Sequence, residues 1–128
     1  MAKVLGIGGV FFKSPDPARL RNWYAERLGF TLSDQDPSVP FSPQTMPPDS
    51  FTVWCPFEAD TLYFEPSAKG FMLNLIVDQL EDALAQVSAG GAQIVGQIEA
   101  YDYGRFGWFI DPDGNKVELW EPAPSQTQ

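Results

Sequence analysis

The chain of 128 residues contains no histidine. Without an imidazole it can build neither a Ser-His or Cys-His nucleophile pair nor a histidine general base, and those mechanisms are excluded. It has a single cysteine, Cys55. An internal disulfide and any dithiol redox or zinc motif are therefore out of reach, and Cys55 is expected as a small core residue. Basic residues are few: eight Lys and Arg stand against seventeen Asp and Glu, a net charge of −9. A field of that sign repels phosphates and attracts cations, so nucleic acid is not an expected partner. No apolar run approaches the roughly 18 residues that a membrane span needs. The start, Met1-Ala2-Lys3-Val4-Leu5-Gly6, lacks the apolar stretch of a secretory signal. The expectation is a cytoplasmic protein with no membrane partner.

What is present points to an ordinary globular protein. Hydrophobic residues make up 44% of the chain and charged residues 20%, and the length suits one domain, 1–128, with one core. Acidity increases along the chain. Residues 1–65 carry five basic and eight acidic side chains, and residues 66–128 carry three and nine.

Two halves repeat one pattern. Val4 to Lys13 reads as a strand. Asp16 is placed to cap a helix that has Pro17 in its first turn, Leu20, Tyr24 and Leu28 along one stripe, and Gly29 at the end. Strands are predicted at Phe30 to Ser33, Phe51 to Cys55 and Thr61 to Glu65. Five prolines between Asp34 and Ser50 mark a long loop. The second half begins with a strand at Phe71 to Val77. Asp78 and Glu81 then form a capping box for a helix with Leu80, Ala83, Leu84 and Val87 on one face, ending at Gly90-Gly91. Strands follow at Gln93 to Gln97, Arg105 to Ile110 and Lys116 to Glu121, the last two joined by the hairpin signal Asp111-Pro112-Asp113-Gly114-Asn115. Both halves read β-α-β-β-β, module one over about 5–66 and module two over about 70–122. The echo of Leu62-Tyr63-Phe64-Glu65-Pro66 in Glu118-Leu119-Trp120-Glu121-Pro122 agrees with a duplication.

Strand alternation sorts the side chains. Leu73, Leu75 and Val77 form an aliphatic face suited to the helix, leaving Met72, Asn74 and Ile76 for the other side. Val117 and Leu119 take the helix side of the last strand, so Glu118 and Trp120 share a surface with Asn74 and Met72.

The entry Gly-Ile-Gly-Gly-Val-Phe-Phe-Lys with a following Asp-Pro, then Trp-Tyr and Leu-Gly-Phe, and the closing Phe-Ile-Asp-Pro-Asp-Gly-Asn-Lys-Val-Glu-Leu-Trp-Glu-Pro, resemble the glyoxalase, bleomycin-resistance and dioxygenase (vicinal oxygen chelate) superfamily. The resemblance covers residues 5 to 122. It implies an α+β fold of two βαβββ modules forming a curved mixed sheet around a cavity, with ligand inside the curve. It also implies that the metal-ligand positions of the metal-dependent members fall on Gly9, Leu62, Met72 and Glu118, of which only Glu118 can bind a hard cation. No metal and no cofactor are therefore expected, since a site needs three or four protein ligands.

Glu118 is the candidate catalytic residue, as a general base or as an anchor for a cationic group. Trp54, Met72, Asn74, Tyr101, Tyr103, Arg105, Glu118 and Trp120 are the candidate ligand-binding residues. The segment Tyr101-Asp102-Tyr103-Gly104-Arg105 reads as a polar, aromatic loop at a pocket mouth. Arg105 could pair with Glu118 or Asp102, or bind a ligand carboxylate. Glu118 is expected to be the only ionised group on its face.

Three functions compete. One is metal-independent binding of a small molecule, with a cation held by Glu118 and by aromatic rings. Another is an enzyme: a lyase or isomerase using Glu118 as base, or a dioxygenase-type enzyme with an atypical oxygen-ligand metal site. The third is a domain whose pocket serves regulation or dimer assembly. A homodimer is expected, because superfamily members pair and sheet edges need cover.

Overall fold

A computed structural model describes residues 1–5 and 7–124. Gly6, within the first predicted strand, lies outside the described residues. Its elements are a helix α1 (Pro17–Leu28), a short 3-10 turn (Pro43–Thr45), β1 (Leu73–Ile76), α2 (Leu80–Ala89), β2 (Gln93–Tyr101), β3 (Gly104–Ile110) and β4 (Lys116–Pro122). The four strands form one mixed sheet in the order β1-β4-β3-β2. Here β1 runs parallel to β4, and the β2–β3–β4 meander is antiparallel. The fold is α+β, and the second half completes a βαβββ module.

Local chemistry explains the helices. The Asp16 carboxylate accepts from the Arg19 amide at 3.2 Å, satisfying one of the donors that the first turn leaves open. Gly29 ends α1 with φ of 72°, a left-handed conformation that glycine adopts without a Cβ penalty. For α2 the predicted capping box does not form. Its N-cap is Gln79, with no side-chain cap of its own. The Leu80 amide donates instead to the Glu121 carboxylate on β4 at 2.9 Å. The cap comes from across the sheet, where the helix is docked.

Both helices cover one side of the sheet. Leu80, Val87, Phe109, Val117 and Leu119 are fully buried there, with Leu20, Tyr24 and Ala83 nearly so. Burying each large aliphatic or aromatic side chain stabilises the fold by about 1.5–3 kcal/mol. α1 is fastened by polar contacts as well. The Trp23 indole donates to the Gly90 carbonyl at 2.9 Å, and the Tyr24 hydroxyl donates to Asp111 at 2.9 Å. Asp111 is itself only 4% exposed and also accepts from the amides of Asp113 and Asn115 and from the Asn115 side chain. The β3–β4 turn thus serves as a socket for α1.

The four strands predicted before residue 70 are not laid down as ladders among the described residues. Alternation in sequence reports a preference for a pleated, half-buried surface, and the described residues of these segments join no strand of the sheet. Many of their apolar side chains stay in solvent, with Leu5 90% exposed, Phe11 94% and Trp54 78%, while Phe30 packs against the core. Cys55, expected in the core, is exposed for the same reason, since a segment outside the sheet buries neither face.

Candidate functional site

The sheet register carries the site, on the side opposite the helices. Asn74 of β1 is paired with Glu118 of β4, and Glu118 with Trp108 of β3, so one row crosses three strands. The next row is Ile76, Trp120 and Phe106, continued by Glu99 on β2. A register shift between Val95 and Glu99 interrupts the β2 ladder and adds twist to that edge.

Glu118 is held by three donors. Asn74 Nδ2 reaches one carboxylate oxygen at 2.7 Å, while the Tyr63 hydroxyl at 2.6 Å and Trp108 Nε1 at 2.8 Å share the other. Such charge-assisted bonds are short and fix orientation. Lys116, two residues earlier on the same face of β4, lies with Nζ 5.0 Å from the Tyr63 ring centroid and 5.9 Å from that of Trp108, and it donates to the Tyr63 carbonyl. Desolvation lowers the Lys116 pKa from its ordinary value, against the attraction of Glu118 and Glu99. The expectation that Glu118 is the only ionised group on this face is therefore wrong. Burial, then the bond to Glu118, raises the Tyr63 pKa, so its hydroxyl keeps its proton and donates.

Away from Glu118 the face becomes aromatic. Phe106 stacks on Trp120 with centroids 6.0 Å apart and planes 5° apart. Tyr101 stacks on Tyr103 at 5.4 Å and 5°, and both meet Phe106 edge-on. Phe51, from the first half, lies 5.6 Å from Trp120. The segment from Tyr101 to Arg105 is not a loop. Tyr101 and Gly104 are paired, leaving Asp102 and Tyr103 as a tight turn. Gly104 permits it with φ of 139°, and a Cβ there would come within 2.5 Å of both the Glu121 carbonyl and Trp120 Nε1.

The structure brings together Asn74, Glu118, Trp120, Tyr101 and Tyr103 on this face. Arg105 falls outside, because residues alternate on β3 and Phe106 takes the site side. Its guanidinium grips Glu81 of α2 at 2.6 and 2.7 Å and Glu121 at 3.0 Å, not Glu118 or Asp102. Trp54 is solvent-exposed, outside any ladder, and Met72 is half-buried just before β1. Tyr63, Trp108 and Lys116 are neighbours of Glu118 that the candidate set lacked. For Lys116 the signal was its spacing of two from Glu118; Trp108 stood in the alternation of β3. Nothing local predicts that Tyr63 reaches Glu118.

This donor set does not fit a metal ion. The Glu118 oxygens face N–H and O–H groups, and among the described residues no three Cys, Asp or Glu side chains gather.

A curved mixed sheet with helices on one side and a polar, aromatic surface on the other is an α+β architecture. The chain belongs to the glyoxalase-like domain family, whose model matches residues 9–120. No curated protein matches it. Among solved structures it is similar to a glyoxalase-related enzyme from Fulvimarina pelagi, at 16% identity and a TM-score of 0.59, with 92% of this chain and 88% of that one covered. It is also similar to TnmS3, an antibiotic binding protein from Streptomyces sp. CB03234, at 22% identity and a TM-score of 0.51, with 86% and 89% covered. At these identities the likeness shows the fold alone. No described helix is long and apolar enough to cross a membrane.

Proposed function

We propose that this chain binds a small organic molecule on the aromatic face around Glu118, without a metal. The observation that carries this reading is a carboxylate oriented by Asn74, Tyr63 and Trp108 at the edge of an aromatic surface. Rings offer large contact area at low entropic cost, and one placed polar group gives orientation. A binding role agrees with the shared fold of TnmS3, an antibiotic binding protein. A general base needs a free lone pair directed at substrate, whereas Asn74, Tyr63 and Trp108 fill all but one of the acceptor sites of Glu118. Lys116 supplies a nearby counter-charge, so the ligand has no need to be cationic.

Glu118→Gln tests the assignment. The Gln oxygen can accept from Tyr63 and Trp108, and Asn74 can turn its carbonyl to the new amide, so the fold should keep its melting temperature. Ligands found in a thermal-shift screen of wild type should weaken about tenfold, the effect of replacing a charged acceptor by a neutral one. Unchanged affinity for every such ligand would remove Glu118 from the site.

We also propose a homodimer. β1 is an edge strand of the sheet, and large apolar side chains of the first half are exposed; both are surfaces that proteins ordinarily cover. Light scattering at micromolar concentration should give about twice the 14.2 kDa chain mass. A particle of one chain mass contradicts the dimer.

A further inference from the structure

Tyr63 stands out as the one aromatic ring of the first half that bonds to the Glu118 carboxylate. It lies on a segment with no ladder hydrogen bonds. Residues 57–65 are ordered by local turns, such as Thr61 to Glu58 at 3.0 Å and Glu65 to Leu62 at 3.1 Å. The polar ties from this segment to the sheet run through Tyr63, by its hydroxyl to Glu118 and by its carbonyl from Lys116. The ring is gripped on several sides. Phe57 stacks on it at 5.7 Å and 14°, Trp108 meets it edge-on at 6.2 Å, and the Lys116 ammonium lies over its face. Yet Tyr63 is 40% exposed and Phe57 46%, so the ring is seated in the site without being sealed there.

We propose that Tyr63 is an internal stand-in for the ligand, and that the site binds an aromatic hydroxyl compound which displaces this ring and donates to Glu118 in its place. The inference rests on the reading of Glu118 as a ligand anchor and names the ligand chemistry that reading leaves open. Every feature that holds Tyr63 selects a phenol. Phe57 and Trp108 contact a flat ring, by its face and by its edge, and the ammonium favours an electron-rich one. The shared Glu118 oxygen needs one donor beyond Trp108, which a hydroxyl supplies and a plain hydrocarbon does not. Displacement breaks no ladder, because residues 57–65 have none.

The test is to titrate wild type and Tyr63→Ala with 4-methylphenol, toluene and benzylamine, following the Trp108 indole N–H signal by NMR. Tyr63→Ala should bind 4-methylphenol at least about tenfold more tightly than wild type, since the internal competitor is gone. It should prefer 4-methylphenol to toluene by about tenfold, the worth of a hydrogen bond to a charged acceptor. Adding Glu118→Ala should abolish that preference. Equal affinity for toluene and 4-methylphenol, or tighter binding of benzylamine, overturns the proposal. If Tyr63→Ala does not fold, Tyr63→Phe serves instead. It keeps the ring packed but removes its donor to Glu118, so the internal competitor is weaker and 4-methylphenol should bind severalfold more tightly than to wild type; no gain overturns the proposal. Failure of 4-methylphenol with retained Glu118 dependence of other ligands sinks the stand-in alone, whereas loss of all Glu118 dependence sinks the binding reading with it.

Discussion

The two halves of the chain share a sequence pattern and differ in how they are held. Residues 73–122 pair strand to strand over a buried core, so the loss of one contact is backed by its neighbours. The first half contributes one packed helix and a set of point attachments: Ser14 to Asp113, Tyr24 to Asp111, Tyr63 to Glu118, Ser67 to Gly114 and Phe51 against Trp120. Ladders and cores are cooperative, while point contacts can exchange singly. A molecule arranged this way has a ladder-paired platform to which much of the first half is held by contacts that can exchange one at a time.

The contrast is sharpest for two phenylalanines. Phe109→Ala, at a fully buried position, should cost about 3–5 kcal/mol in urea unfolding. Phe11→Ala, at a position 94% exposed, should change stability by less than about 0.5 kcal/mol. Comparable losses in both variants would show that the first half is as firmly packed as the second.

A smaller effect is expected where the halves join. Tyr24→Phe removes the hydroxyl bond to buried Asp111 but leaves the ring packed and the other three donors in place. The unfolding midpoint should fall by the equivalent of about 1–2 kcal/mol. No change would mean that the α1 socket is held by packing alone.

The smallest effect belongs to the exposed pair that ties α2 to the platform. The Arg105 guanidinium holds the Glu81 carboxyl down to about 2 from an ordinary 4.5. A carboxyl whose folded pKa is depressed stabilises above its unfolded pKa, so this contribution is present above about pH 4.5 and is lost as the pH falls toward about 2. Glu81→Gln should therefore lower the melting temperature slightly at pH 7, with the gap closing toward pH 2, and high salt should shrink it. A gap that persists at pH 2 would point to helix packing rather than charge.

The sequence by itself determined α1 with its Asp16 cap and Gly29 stop, the extent and apolar stripe of α2, the β3–β4 turn, and the sorting of Glu118, Asn74 and Trp120 from Val117 and Leu119. These are written in periods of 3.6 and 2 and in local hydrogen bonds, which depend only on neighbours along the chain. Tertiary structure alone decided the rest. Glu121 rather than Asp78 reaches the start of α2, because docking supplied a nearer acceptor than the local one. Arg105 left the site because the turn at Asp102 and Tyr103 set its strand parity, and α2 brought Glu81 to meet it. Tyr63 came to Glu118 across 55 residues. No periodicity records such a meeting, since it depends on where a segment without a ladder comes to rest upon the sheet.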